Sequence, residues 1–329
     1  MRFGLFIPQG WRHDLVDIDP ADHWSTMSGL AAAADAGPWE SIWVFDHFHT
    51  VPVPSHEATH EAWSLMAAYA AITTRVRLGQ MCTCISYRHP SYLAKVAATI
   101  DTISGGRVEM GIGGGWYEHE WRAYGYGFPT AGERLARLDE GVQIMKQAWE
   151  TGTATLDGTH YQVDGALFYP QPAAKRIPIW IAGGGEKVTL RIAAKYADYT
   201  NFGNSPEEFS HKSTLLQQHC ADVGTDFGRI VRSTNFNTVI GATEAEVIER
   251  INAIEARLLP YLGAERAAAY VSEARSGTAV AVGTPEQVIE RLLDMQSRGL
   301  GYSIHNFAES AYDRSGIELF EREVVPALS

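Results

Sequence analysis

The chain has 329 residues, of which 45% are hydrophobic, and its formal net charge at pH 7 is −12. This apolar content can build a sizeable core, and a single (β/α)8 barrel commonly has this length. A polyanionic surface repels phosphate backbones, so we expect no nucleic-acid partner. No apolar run is long enough to span a membrane, and residues 1–8 are too short a stretch for a signal peptide. The composition therefore predicts a cytoplasmic protein with neither a membrane nor a nucleic acid as its partner.

Strands and helices alternate along the chain, as they do where helical crossovers join parallel strands. The predicted strands are residues 3–7, 41–45, 76–84, 107–112, 177–181, 198–201, 230–239 and 301–307. The predicted helices between them are residues 23–36, 61–72, 91–103, 131–150, 186–196 and 206–223. Eight strands favour a closed barrel over an open sheet, so the predicted fold class is α/β, a (β/α)8 or TIM barrel.

Two segments do not fit a bare barrel. Residues 151–165 resemble a polar β-hairpin that turns at Asp157-Gly158. Residues 243–274 are helical and charged, so we expect a helical insertion at about 243–280. The segment Gly283-Thr-Pro-Glu286 follows it and is a typical helix start, with Thr284 as the N-cap. Because no low-complexity linker divides the chain, we predict one domain over residues 1–329, with both segments as candidates for lids or interface elements.

Polar residues follow the second and third predicted strands, at the barrel edge that carries active sites. Asp46-His47 ends the second strand. Histidine moves protons near neutral pH, and an adjacent carboxylate can tune it, whereas the alternative is a loop histidine that caps a turn. Arg88 lies in Ile85-Ser-Tyr-Arg-His-Pro90 after the third strand. It could bind an anionic group through two nitrogens or be a solvated loop residue.

Two glycine runs also follow predicted strands. Gly113-Gly-Gly-Trp-Tyr-Glu-His-Glu-Trp121 could stack a ring and position an acid, or be a tight turn with aromatic residues packed on the barrel edge. Ala182-Gly-Gly-Gly-Glu186 opens a predicted helix, and helix N-terminal amides bind phosphate well. The spacing fits neither the Rossmann glycine motif nor a Walker loop. We interpret the second run as a phosphate site.

Metal and disulfide chemistry have weak support. The three cysteines, Cys82, Cys84 and Cys220, are too few for a disulfide scaffold, and we expect small buried side chains rather than metal ligands. His56-Glu-Ala-Thr-His60 matches the zinc-peptidase motif, which requires a helix with both histidines on one face. Because no clear third ligand follows, we predict no metal site and place these residues at the mouth of the barrel.

Five motifs, taken together and in this order, resemble the luciferase-like flavin-dependent monooxygenase superfamily, and more narrowly its branch that uses the 8-hydroxy-5-deazaflavin coenzyme F420. They are Trp43-Val-Phe-Asp-His47, Tyr87-Arg-His-Pro90, Ile103-Ser-Gly-Gly-Arg107, Gly111-Ile-Gly-Gly-Gly115 and Gly183-Gly-Gly-Glu186. The resemblance covers nearly the whole chain. It implies a bacterial-luciferase-like barrel with insertion segments in its later half, and a coenzyme ring over the C-terminal mouth.

The resemblance also implies roles for individual residues. Asp46 would contact the ring system, and His47 would donate or accept the proton. Cys84-Ile85 would form a non-proline cis peptide that supports the ring. The other implied coenzyme contacts are, for the ring and tail, Gly114, Gly115 and Trp116, and, for the phosphate, Gly183, Gly184, Gly185 and Lys187.

The chain departs from the sugar-phosphate dehydrogenases of that branch at two places. They carry a tryptophan shortly after the Asp-His pair, where Val51 stands here, and a glutamate directly after the glycine turn, where Trp116 stands. A sugar phosphate is therefore not the expected substrate. The second acid–base residue stays open, and His60, Glu118 and Glu120 are candidates for substrate contacts.

The sequence thus predicts an oxidoreductase that transfers a hydride between coenzyme F420 and a small carbonyl, imine or activated alkene. The alternative is an FMN-dependent two-component monooxygenase, and the remote alternative is a zinc hydrolase that uses His56, Glu57 and His60. Related barrels often pair, so a homodimer is the assembly to test, by analogy alone.

Overall fold

Eight parallel strands close into a barrel in the computed structural model, which describes residues 1–328. The strands are β1 (Arg2–Phe6), β2 (Ser41–Val44), β3 (Arg77–Gln80), β4 (Val108–Gly113), β5 (Ile179–Ala182), β6 (Tyr199–Asn201), β7 (Val231–Asn237) and β8 (Leu300–Asn306). Each strand pairs with its neighbours in chain order, and β1 completes the ring by pairing with both β2 and β8. The predicted (β/α)8 fold is confirmed.

Helices surround the barrel and cover the outer face of its strands. Every position of β2 and β4 is buried, as expected for parallel strands that are covered on both faces. The helices are His23–Ala36, Ala62–Ile72, Pro90–Ser104, Glu118–Ala123, Ala131–Thr151, Thr189–Tyr196, Pro206–Val223, Glu244–Leu262, Ala264–Tyr270, Ser272–Arg275, Pro285–Ser297, Ser315–Leu319 and Val325–Leu328, with 3-10 turns at Pro20–Asp22 and Phe227–Arg229 and a π-helical segment at Phe320–Val324. Among the helices of residues 1–328, none combines the length and hydrophobicity that a membrane crossing requires.

Two elements differ by more than two residues from their predicted bounds. The predicted strand 76–84 is two elements, because β3 ends at Gln80 and a short strand, Thr83–Cys84, pairs separately with β4. The predicted helix 186–196 begins only at Thr189. Glycine has a low helix propensity, and Gly183 has φ +120°, so the glycine run stays non-helical. Both differences leave irregular backbone at the C-terminal mouth of the barrel.

The extra segments have structures of their own. The predicted hairpin consists of Thr153–Asp157 and Gln162–Leu167, which pair antiparallel. The Glu140 carboxylate accepts the backbone N–H groups of its turn, from Thr159, His160 and Tyr161. These hydrogen bonds lower the pKa of Glu140, although burial acts in the opposite direction. The hairpin is thereby tied to the helix Ala131–Thr151.

The charged segment after β7 forms three helices, the longest of which is Glu244–Leu262. Its apolar side chains make a small core separate from the main one. Tyr261 donates a hydrogen bond to Asp17 in the loop after β1, and Arg257 donates one to the carbonyl of Ala308 after β8. Because both loops follow barrel strands, these helices lie beside the C-terminal mouth. The next helix starts at Pro285 with Thr284 as its N-cap, as predicted, and Gln287 completes a capping box.

Candidate active site

A cavity of about 410 Å³ opens at the C-terminal mouth of the barrel. It is lined by residues at or after the ends of β1 to β7, so most strands contribute to it. Of the predicted site residues it brings together Asp46, His47, Cys84, Gly114, Gly115, Trp116 and Gly183. The lining also includes side chains that the sequence did not single out, among them Trp11, Arg134, Asn201 and Asn235.

His47 is held from behind by a buried glutamate. Its Nδ1 lies 2.7 Å from Oε2 of Glu120, a side chain with no exposed surface. The same oxygen accepts the hydroxyl of Tyr87, and Oε1 accepts the backbone N–H groups of Phe48 and His49. Burial and the neighbouring Cys84 and Glu120 raise the pKa of Tyr87, so its hydroxyl stays a donor. With Nδ1 occupied, Nε2 is the ring nitrogen left for a ligand.

Glu120 was a predicted substrate contact, but its side chain instead lies behind His47. Both of its carboxylate oxygens accept hydrogen bonds from groups of the protein, and Glu120 is not part of the cavity lining. The sequence could not reveal the contact with His47, because 73 residues separate the two side chains. The short helix Glu118–Ala123 turns Glu120 and Trp121 inward and leaves Glu118 outside. Glu118 pairs with Arg122 on the surface.

Asp46 and Arg88 form a buried ion pair next to His47. Both guanidinium Nη atoms of Arg88 reach the Asp46 carboxylate, at 2.8 and 2.9 Å, and the backbone N–H of Cys84 donates to the same group at 2.9 Å. Arg88 continues to Glu61, the N-cap of the helix Ala62–Ile72. The anion that Arg88 binds through two nitrogens is thus a carboxylate of this chain. This bonding fixes the loop that carries His47.

Trp11 covers the other side of His47. The two rings are parallel within 2°, and their centroids are 4.2 Å apart. The preceding Gly10 has φ +93°, and a Cβ there would lie 1.8 Å from the carbonyl oxygen of Ala58, so only glycine allows this turn. Trp11 was not predicted as a site residue, although the Gly10-Trp11 pair lies in the loop after the first strand, at the edge of the barrel that carries active sites.

Glycines and cysteines form the opposite wall of the cavity. A Cβ on Gly113 would lie 2.8 Å from Sγ of Cys82, and a Cβ on Gly115, which has φ +76°, would lie 2.6 Å from Sγ of Cys84. The thiols therefore pack against bare backbone. Burial, reinforced by the Asp46 carboxylate, raises the pKa of Cys82 to about 12. Both side chains act as small neutral groups that leave a flat wall.

The predicted cis peptide at Cys84-Ile85 is wrong. The non-proline cis bond joins Met81 to Cys82, in the segment between β3 and the short strand Thr83–Cys84. The family resemblance implied the position Cys84-Ile85, whereas in this chain the cis bond lies close after the end of β3 at Gln80. Ile85 is fully buried, is absent from the cavity lining, and packs with its Cδ1 against Gly141.

The family model for luciferase-like monooxygenases matches residues 1–301. The chain belongs to the luciferase-like monooxygenase family. An F420-dependent glucose-6-phosphate dehydrogenase from Amycolatopsis mediterranei (strain U-32) is 33% identical over 192 residues, which are 57% of this chain and 54% of that protein. The chain thus matches only about half of the length of the dehydrogenase. The pyrimidine monooxygenase RutA from a Bradyrhizobium species is 30% identical over 299 residues, which are 82% of this chain and 79% of that protein.

A solved structure shares the fold of this luciferase-like protein. An F420-dependent secondary alcohol dehydrogenase, in complex with an F420-acetone adduct, superimposes with a TM-score of 0.78 at 22% sequence identity. The alignment covers 100% of this chain and 99% of the dehydrogenase. At this identity the similarity establishes the architecture of the luciferase-like barrel and leaves the reaction to the site residues.

The glycine run after β5 lies at the edge of the cavity. Gly183 lines it, whereas Gly184, Gly185 and the exposed Lys187 do not. The lysine packed against the run is Lys212, from the helix Pro206–Val223. A Cβ on Gly184 would lie 3.4 Å from its Cε. Lys212 was not predicted as a site residue, because it belongs to the following helix.

The zinc-peptidase motif does not take the form that its chemistry requires. Residues 56–60 are not helical, since the helix begins at Ala62, so the motif lacks the helix that would place both histidines on one face. Nε2 of His60 lies 3.1 Å from Nδ1 of His23, and His60 is not part of the cavity lining. Within residues 1–328, no group of three or more His, Cys, Asp or Glu side chains could hold a metal ion.

Proposed function

We propose that this luciferase-like protein transfers a hydride between coenzyme F420 and a small carbonyl, imine or activated alkene. The observation that carries the proposal is the His47–Glu120 pair at a cavity whose facing wall is built of glycine and small side chains. The F420-dependent relative supports the choice of coenzyme, over the half of its length that the chain matches.

The residues of the cavity fit a flat, acidic coenzyme. Gly113–Gly115, Ala182 and the two thiols offer backbone and small side chains against which a planar ring system can lie. A protein of net charge −12 needs local donors for a phosphate. We assign that role to the backbone amides of Gly183–Gly185 and to Nζ of Lys212, whose present partner is Glu186 at 2.8 Å.

When bound at this wall, coenzyme F420 supplies or accepts the hydride at its ring C5. The chain supplies the proton transfer. His47 gives or takes the substrate proton at Nε2, and the Glu120 carboxylate holds the tautomer at Nδ1 and stabilises the imidazolium. Trp11 fixes the tilt of the imidazole, and the Asp46–Arg88 pair fixes its backbone. Asp46 therefore acts on the position of His47.

An FMN-dependent monooxygenase is the second candidate, because the monooxygenase relative aligns over a larger share of both chains than the dehydrogenase does. The same wall would accept an isoalloxazine ring. Carbon in place of nitrogen at ring position 5 suppresses oxygen chemistry, so coenzyme identity decides the reaction class.

Titration of the purified protein with each coenzyme, followed by fluorescence quenching, tests the proposal. Coenzyme F420 is expected to bind, and tight binding of FMN without binding of F420 would refute the main proposal. Substrates are then screened by the absorbance of reduced F420, with His47→Ala as the control. The variant should keep coenzyme affinity and lose turnover.

Three wider proposals accompany this function. The barrel and the helices at about 243–280 act as one domain, the protein works in the cytoplasm, and it acts on small molecules as a homodimer. Analytical ultracentrifugation tests the assembly state directly.

A further inference from the structure

The catalytic histidine proposed above is surrounded by aromatic rings. Trp11 lies parallel to His47, and Trp116 and Tyr117 meet it edge-on, with centroid separations of 5.8 and 6.0 Å. Trp11 and Trp116 also line the cavity. A substrate that reaches Nε2 of His47 must therefore lie against aromatic surface.

Trp116 has an uncovered face at this place. One face stacks on Tyr117 at 5.2 Å and 22°, yet the side chain remains 60% exposed and lines the cavity. Its position is set by the turn at Gly115 and by the hydrogen bond from Tyr117 to the carbonyl of Thr50. A fixed indole that keeps one face open is suited to stack a flat ligand, because offset aromatic pairs gain free energy beyond simple burial.

The cavity lining offers few charged side chains that are free to bind a charged substrate. The charged side chains of the lining are Asp46 and Arg134, beside the titratable His47. Asp46 is neutralised by Arg88. Arg134 donates Nε to the carbonyl of Gly115 and Nη1 to that of Pro129, and its guanidinium lies 4.2 Å from the centre of the Phe128 ring. Its binding capacity is thus largely used within the protein.

We infer that the substrate is an uncharged molecule with a planar, unsaturated face, which covers the open face of Trp116 beside His47. The inference rests on the proposed function for the identity of the site, and it moves Trp116 from the coenzyme contacts to the substrate contacts. Trp116 sets specificity, whereas the backbone of the glycine turn next to it belongs to the coenzyme wall.

Three probes of matched carbon skeleton test the inference by calorimetry on protein loaded with the oxidised coenzyme, which has no hydride to give to an aldehyde. The probes are 2-naphthaldehyde, which is flat and uncharged, 2-naphthoate, which is flat and anionic, and decahydro-2-naphthaldehyde, which is uncharged and not flat. The first is expected to bind about tenfold more tightly than the other two. In Trp116→Ala it should lose about two- to tenfold in affinity, the range of an aromatic pair. Trp116→Phe should keep most of that affinity.

Controls separate this inference from the proposed function. Tyr92→Ala removes an aromatic side chain that is 62% exposed on the helix Pro90–Ser104, outside the cavity, and should change nothing. Coenzyme affinity should be unchanged in Trp116→Ala. The inference is overturned if 2-naphthaldehyde does not bind, if either other probe binds as tightly, or if Trp116→Ala weakens the coenzyme instead of the probe. Failure of F420 to bind refutes only the proposed function, since the probes are then compared on FMN-loaded or coenzyme-free protein.

Discussion

The two halves of the barrel mouth differ in how their buried carboxylates are satisfied. After β2 to β4, Asp46 and Glu120 accept protein donors at every carboxylate oxygen. After β8, within residues 1–328, both carboxylate oxygens of the buried Glu309 accept no hydrogen bond. The carboxylates of the first half are therefore organised by the chain itself. The carboxylate of the second half lacks such partners and depends on a proton to remove its charge.

The proton-transfer pair should show the largest effect of any substitution in the organised half. His47→Ala should lower kcat by about 10²- to 10⁴-fold, the usual contribution of general acid–base catalysis, and leave coenzyme affinity unchanged. Glu120→Gln should lower kcat by about tenfold or more, because the neutral amide no longer stabilises the imidazolium. Steady-state kinetics with any substrate from the screen measure both.

Glu118→Gln is the matched control, since Glu118 and Glu120 are two residues apart and only Glu120 reaches His47. Its kcat should stay within about twofold of the wild type, as for a surface substitution away from the site. Equal losses in the two variants would mean that the site does not depend on the buried carboxylate.

Removal of the arginine from the buried ion pair should produce the largest loss of stability. In Arg88→Met the Asp46 carboxylate, whose side chain has no exposed surface, is left without its counter-charge. We expect the free energy of unfolding to fall by about 3–5 kcal/mol in urea denaturation. Arg122→Met breaks an exposed pair with Glu118 and should cost at most about 0.5 kcal/mol. Similar losses of stability in the two variants would mean that the buried ion pair contributes no more than the exposed one.

Glu309 provides the opposite case, a buried carboxylate without hydrogen-bond partners. Burial raises its pKa to about 7, from a usual 4.5, although Arg250 lies 3.7 Å away. Between these values the folded state holds a proton that the unfolded state has released, so wild-type stability falls as the pH rises from about 4.5 to 7. Glu309→Gln carries no such proton. The variant should gain about 1–3 kcal/mol over the wild type at pH 8 and little at pH 4.5.

Thermal denaturation of both proteins at the two pH values measures this gain. A variant that is equally or less stable at pH 8 would show that Arg250 already compensates the ionised carboxylate. A gain at pH 8 would confirm that the Glu309 carboxylate lacks partners, because removing a buried charge increases stability only where that charge is not already compensated.

The sequence predicted the fold and the organised half of the site to different degrees. Alternating strands and helices gave the barrel, and the strand-end rule located Asp46-His47 and both glycine runs. The same rule pointed to Trp11 but was not applied to the first strand. The partners of His47 and Asp46 were not predictable, because Glu120 and Arg88 reach them only through the closed barrel. The break after Gln80 likewise depends on the separate pairing of Thr83–Cys84 with β4.

The smallest expected effect is on coenzyme affinity, at the glycine run after β5. Lys212, only 12% exposed, packs against Gly184, whereas Lys187 is exposed and outside the cavity lining. Lys212→Met should weaken coenzyme binding by about tenfold, the value of one charge-assisted hydrogen bond. Lys187→Met, the matched control, should weaken it by less than about twofold. Fluorescence titration measures both constants. The reverse order would assign the phosphate to Lys187, as the family resemblance implies.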